Sequence, residues 1–321
     1  MIRKSPGSFR AALAVALLLM PVLAHADSWH LWVGAQTADK AHQALAFLPN
    51  EIWVHVGDSV TWTFAADDAH TVTFLKPGQV RPPYQVGCPG STPDGSFETA
   101  ASCVNSGVLI NESMYTVAFP AAGNFKLVCL VHSMMTATVH VVEPSETLPH
   151  DQAFYDEQAR EEAHALFSDV VASRPVTYDA SAVAAGAGKV VATGGGFETG
   201  SVMRFSRERM VIHVGDTVEW TNSEAATNHT ITFGPEPDNL IVPSANVFLD
   251  ADGARHAVIS SASDAVHSGF ISPAPQDRIG LPQPGPGSTR FRVTFTAPGE
   301  FNYICSLHDD LGMTGQVIVL R

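Results

Sequence analysis

The 321 residues carry 18 Lys and Arg against 32 Asp and Glu, a formal charge of −14, with 45% apolar and 16% charged residues. That balance excludes a disordered chain, and the acidic excess excludes a surface built for phosphate backbones, so no nucleic-acid partner is expected. The length suits two domains of ordinary size, each with its own core.

The chain opens on Arg3, Lys4 and Arg10, an apolar run over 11–23, and Ala24-His25-Ala26. This is the pattern of an export signal, cleaved before Asp27. The apolar run is shorter than the roughly 20 residues that span a bilayer. No later stretch is long and apolar enough either, so the mature chain is expected to be periplasmic or secreted, with no membrane span. Cleavage leaves 15 basic residues against 32 acidic ones, a charge of −17. Solubility alone accounts for such a surface; as a docking face it would suit a basic redox partner protein or a cation.

A repeat organises the rest. Val54-His55-Val56-Gly57-Asp58 is matched 158 positions later by Ile212-His213-Val214-Gly215-Asp216. Each lies in a strand, Gly-Asp turn, strand unit. After the turns, Val60, Trp62 and Phe64 alternate with Ser59, Thr61 and Thr63, and Val218 and Trp220 follow the same period, as half-buried strands require. The match continues through His70-Thr71-Val72-Thr73-Phe74 against His229-Thr230-Ile231-Thr232-Phe233, and through Phe119 to Phe125 against Phe295 to Phe301. So long a period means duplicated domains, and many short strands with Gly and Pro turns mean β-sandwiches. The expected organisation is all-β, with domains at 27–143 and 185–321 joined by a linker at 144–184.

Within the linker a helix is predicted from Asp151 to about Val171. Ala159, Ala163, Leu166, Phe167 and Val170 stand at helical spacing and Asp151 can cap the start. Each domain also holds a long insertion between its early His and late Cys. The first contains Cys88 and Cys103; the second runs through Pro273, Pro275, Pro282, Pro284 and Pro286. Both read as long loops.

In an exported chain, Cys88 and Cys103 are expected to form a disulfide, worth roughly 3 kcal/mol through loop closure. Cys129 and Cys305 differ. Each follows an apolar, β-compatible run and stands three residues before a histidine. Bridging these equivalent positions of separate domains would be geometrically awkward.

The second domain reads Cys305-Ser306-Leu307-His308, then four residues, then Met313. With His229 from the earlier repeat unit, one thiolate, two imidazoles and a thioether can converge at one tip of the sandwich. Soft sulfur beside imidazole favours copper over hard cations, and a weak axial Met marks a type 1 (blue) copper site. The first domain offers His70, Cys129, His132 and Met135 with a ligand loop two residues shorter; aligning the flanking strands favours Met135 over Met134. One copper per domain is expected. His55 and His213 precede the Gly-Asp turns at matching positions and read as structural, and the other histidines, His256 and His267 among them, have no ligand-like company. Asp250-Ala251-Asp252-Gly253 resembles a cation-binding loop but lacks the rest of a calcium motif, so it reads as a turn.

With these motifs both halves resemble the plastocyanin, pseudoazurin and amicyanin group of cupredoxins. The loop around Cys305 is similar to the plastocyanin and pseudoazurin form, and that around Cys129 to the amicyanin form. The resemblance covers roughly 27–143 and 185–321, and implies Greek-key β-sandwiches with copper at one end and one-electron transfer. The chief rival is a two-domain multicopper oxidase or nitrite-reductase-like enzyme. Enzymes of that kind place a bridging histidine beside the Cys, but Cys129 is flanked by Val128 and Leu130, and Cys305 by Ile304 and Ser306. The expected protein is therefore not an enzyme. A copper carrier without redox work is the third reading; such proteins tend towards Met-rich or His-rich tracts, and none stands out here.

Overall fold

The computed structural model describes residues 26–76, 78–84, 103–172, 189–193, 196–197, 199–222, 227–272 and 289–321. Residues 1–25 of the expected signal, Cys88, Arg174-Pro175 and the Pro273 to Pro286 stretch lie outside them. Among the described residues no helix is long and apolar enough to cross a membrane.

The first half forms β1 (Ser28–Gln36), β2 (His42–Leu48), β3 (Glu51–His55), β4 (Ser59–Phe64), β5 (Thr73–Phe74), β6 (Val104–Asn105), β7 (Met114–Ala118), β8 (Gly123–Val128) and β9 (Thr136–Val142). Helix α1 (Gln152–Ala172) follows. The second half forms β10 (Lys189–Thr193), β11 (Gly196–Phe197), β12 (Gly200–Val202), β13 (Arg209–His213), β14 (Thr217–Asn222), β15 (Thr232–Phe233), β16 (Phe248–Leu249), β17 (Arg255–Ile259), β18 (Val266–His267), β19 (Arg290–Phe295), β20 (Gly299–Ile304) and β21 (Thr314–Leu320).

Two sheets, β11-β12-β2-β1-β4-β7 and β3-β9-β8-β5-β6, enclose the first core; β10-β14-β19-β17-β16 and β13-β21-β20-β15-β18 enclose the second. Alternation supplies both. Val60, Trp62 and Phe64 point inward from β4, with Trp62 edge-on to Phe74 at 5.7 Å; Val218 and Trp220 do the same from β14, with Trp220 5.9 Å from Phe233. Each such side chain taken from water contributes roughly 1.5–3 kcal/mol.

The Gly-Asp turns work alike in both domains. Gly57 and Gly215 adopt φ of 97° and 93°, a region that disfavours any Cβ. Each following aspartate takes the backbone N–H of the preceding histidine, His55 to Asp58 and His213 to Asp216, both at 2.9 Å.

The helix is held by Asp151, whose Oδ1 accepts from Phe154 N at 3.0 Å. It does more than connect. It packs on β1, β2 and β12, burying Tyr155, Ala159 and Val170, and Gln152 exchanges two hydrogen bonds with the His30 backbone. Nor do all the strands beyond the helix join the second sandwich. β12 pairs with β2, so strands from beyond the helix extend the first domain's sheet.

Among the described residues between His229 and Cys305, the part before Pro273 forms the short strands β16, β17 and β18. β17 runs parallel to β19, and Ala257 and Ile259 alternate into the core from it. The turn at Asp250 and Asp252 has a cation of its own: both carboxylates accept from the Arg292 guanidinium, at 2.7–3.0 Å.

Candidate metal centres

In each sandwich a short bridge, the end of a strand and a tight loop bring the site together. His70 pairs with Leu109 and His229 with Ile271 in isolated bridges. Cys129 and Cys305 follow directly on β8 and β20. The loops then return to β9 and β21, held by Cys129 N donating to Met135 O and Cys305 N donating to Met313 O, both at 3.0 Å. Thr71 and Thr230 lock the histidine strand to the cysteine loop: their hydroxyls accept from Leu130 N at 2.8 Å and Ser306 N at 2.7 Å.

The result is two buried groups, His70 with Cys129 and His132, and His229 with Cys305 and His308, their donor atoms within 4.8 Å of one another. Nδ1 of His70 and His132 are 3.0 Å apart, and Nδ1 of His229 and His308 3.2 Å. Cys305 Sγ lies 3.3 Å from His308 Nδ1 and 3.7 Å from His229 Nδ1. Donors that share one ion at roughly 2.0–2.3 Å stand roughly 3–4 Å apart, so both groups fit a small cation, and the Cys and two His set suits copper. Met135 and Met313 are fully buried in the two cores, whereas Met134 is exposed.

The electrostatics point the same way. Burial would raise both thiols, but the imidazoles of His132 and His70 hold Cys129, and those of His308 and His229 hold Cys305, well below the usual thiol range. Backbone N–H groups of Thr71 and His132 point at Cys129 Sγ from 3.4 Å, and that of Thr230 at Cys305 Sγ from 3.3 Å. Both sulfurs are prepared as thiolates, the form a metal binds.

Two residues that sequence reasoning missed shape these sites. Gly34 sits at a bulge in β1 with φ of 67°, and a Cβ there would stand 2.6 Å from His70 Nε2. Gly34→Ala is therefore expected to displace His70 and weaken copper binding at the first site by roughly 10–100-fold, measured as competition against a copper chelator. Among the described residues, that buried Nε2 has no hydrogen-bond partner. The other is Asp68, buried beside both His132 and His308. Burial would raise its carboxyl, but His132, His70 and His308 hold it below the usual range. A run of two aspartates just before His70, absent before His229, was the available signal.

His267 belongs to neither ligand group but ends a buried hydrogen-bond chain beside one of them. Its Nδ1 meets Thr232 Oγ1 at 2.8 Å, and that hydroxyl meets Ser306 Oγ at 2.7 Å, next to Cys305. Burial holds its pKa below the ordinary value of 6.5. The unfolded chain then binds more protons in the window just below about 6.5, so this residue's contribution to stability falls on acidification. His267→Gln is expected to narrow the difference between urea midpoints measured at about pH 7.5 and about pH 5.5.

One of the comparisons with known proteins finds both halves, and the others match about a third of the chain. A family model for copper binding proteins of the plastocyanin/azurin family matches residues 34–142 and again 191–320. A plastocyanin of Synechococcus sp. (strain JA-2-3B'a(2-13)) is 26% identical over 110 residues, 34% of this chain and 59% of that protein, so the chain spans about three-fifths of the relative's length. Among solved structures, a reduced and an oxidised amicyanin variant each align at 19% identity, covering 36% of this chain and 82% of theirs, with TM-scores of 0.25 and 0.26.

Proposed function

Because the chain belongs to the plastocyanin/azurin family of copper-binding proteins, we propose that it is an exported one-electron carrier with one type 1 copper in each sandwich. The observation that carries this reading is the pair of buried His, Cys, His groups, each built on a rigid strand end and loop. Copper bound there would supply a one-electron change of oxidation state. The chain's part is to hold the donors still. Each Nδ1 is aimed by a bridge or a tight loop, each sulfur is kept as thiolate by imidazoles and backbone N–H groups, and each Met backbone is pinned to its Cys. A cage that does not rearrange makes electron exchange fast, and four donors including Met135 or Met313 would leave no position for a substrate.

Export rests on the basic and apolar leader. Asp27 N donates to Asp58 Oδ1 at 2.8 Å, and cleavage before Asp27 would turn that donor into an α-ammonium facing a buried carboxylate. The acidic surface suits a basic redox partner protein.

Loading the chain with Cu(II) tests the reading. Intense visible absorption, a narrow-hyperfine EPR signal and reversible one-electron reduction are expected. Colourless protein that still binds Cu(I) would point to carriage instead, and rapid turnover of phenols, nitrite or oxygen would make it an enzyme.

A further inference from the structure

In both sites the Nδ1 atoms face inward, which turns the far edges of the imidazoles away from the metal position. Two of those edges meet one side chain. Asp68 Oδ2 is 3.4 Å from His132 Nε2, and Asp68 Oδ1 is 4.0 Å from His308 Nε2. A single carboxylate thus stands between the ligand sets of the two domains. It is 6% exposed, and among the described residues its Oδ2 accepts no hydrogen bond. A buried anion is costly unless compensated, and here one ligand imidazole from each domain flanks it. The repeat does not explain it, since the residue two before His229 is Thr227.

The facing arrangement is held by backbone contacts. β12 pairs with β2, and Met203 N donates to Ala41 O at 2.8 Å. Arg204 donates to Met203 O, Leu311 O and Asp39 O at 2.6, 2.7 and 2.8 Å. Leu311 lies between His308 and Met313, so this guanidinium ties the second ligand loop to the first domain. A cavity of about 820 Å³ beside them is lined from both sides, by Asp68, Leu130 and His132 and by Thr227, Leu307 and His308.

We propose, resting on the copper reading, that the two ligand sets form one two-centre unit in which an electron passes within the chain from His132 through Asp68 to His308, or back. The step balances on its own: one site loses the electron that the other gains, with no proton released and no co-reactant consumed. The outer edges of His132 and His308 then serve each other, and an external partner meets the pair as a unit.

The copper reading is checked first, by two coppers per chain and by visible absorption. The oxidised chain is then expected to show dipolar splitting of its copper EPR signals, absent from Cys129→Ala and Cys305→Ala. After a sub-stoichiometric reducing pulse, the electron is expected to redistribute between the two sites at a rate unchanged by dilution of the chain. Asp68→Leu slows that step by roughly tenfold or more, while Asp68→Asn, which keeps an oxygen between the imidazoles, restores most of it. Missing dipolar splitting, a rate proportional to chain concentration, or no slowing in Asp68→Leu overturns the relay with the copper reading intact. Colourless protein overturns the copper reading and the relay together.

Discussion

Cys305→Ala is expected to leave the chain with half its copper and half its visible absorption, and Cys129→Ala to remove the other half. Each thiolate is the anionic donor of its group, and each is buried among its own two imidazoles. Removing it leaves two neutral nitrogens and a weak thioether, a set with neither the charge nor the softness that selects copper. The loss is local, because the second group shares no residue with the first. Metal bound to the folded chain stabilises it by mass action. Each variant should therefore also lose part of the copper-dependent rise in thermal midpoint, while matching the parent when both are metal-free. Copper per chain, EPR and melting with and without Cu(II) measure this. Unchanged copper in Cys129→Ala would show that the first site is not loaded.

Arg292→Met is expected to destabilise the second sandwich by about 3–5 kcal/mol at neutral pH, the cost of leaving a buried charge unpaired. Its guanidinium is 2.6 Å from Glu219, whose side chain is only 2% exposed although it lies on the face of β14 opposite Val218 and Trp220. Arg290, 3.8 Å from the same carboxylate, is too far to replace it. Adding Glu219→Met should recover most of the loss, because an apolar pair of similar volume leaves no charge behind.

The pH dependence has a definite sign. The hydrogen bond from Arg292 holds the Asp252 carboxyl at about 2, below its ordinary 3.8. The stability this provides is present above the ordinary carboxylate range and is lost as pH falls towards 2. Arg292→Met should therefore show a shallower loss of stability on acidification. Urea unfolding across that range, on parent, single and double variants, measures all three effects.

The contrast between this network and the copper groups shows what kind of information a sequence carries. Asp250 and Asp252 look like half a calcium loop because carboxylates alternating along a turn are common to both; only the pairing of β17, which follows that turn, with β19 places Arg292 beside them. The copper donors were legible because the Cys-to-His spacing is local, and because the duplication shows the distant His70 and His229 in matching company. Gly34 was not legible. Its role depends on the approach of His70 from another strand, and no spacing along the chain encodes that distance. His267 was hidden for the same reason, joined to Cys305's neighbour only through Thr232.

By itself, the sequence determined two repeated sandwiches, a capped helix between them and two sets of copper-binding donors, because strand alternation, Gly-Asp turns and loop spacing act over a few residues. Tertiary structure alone decided that the two sets face one another. That depends on β12 joining β2, on Arg204 clamping Leu311, and on Asp68 lying between His132 and His308, contacts between residues as many as 240 positions apart.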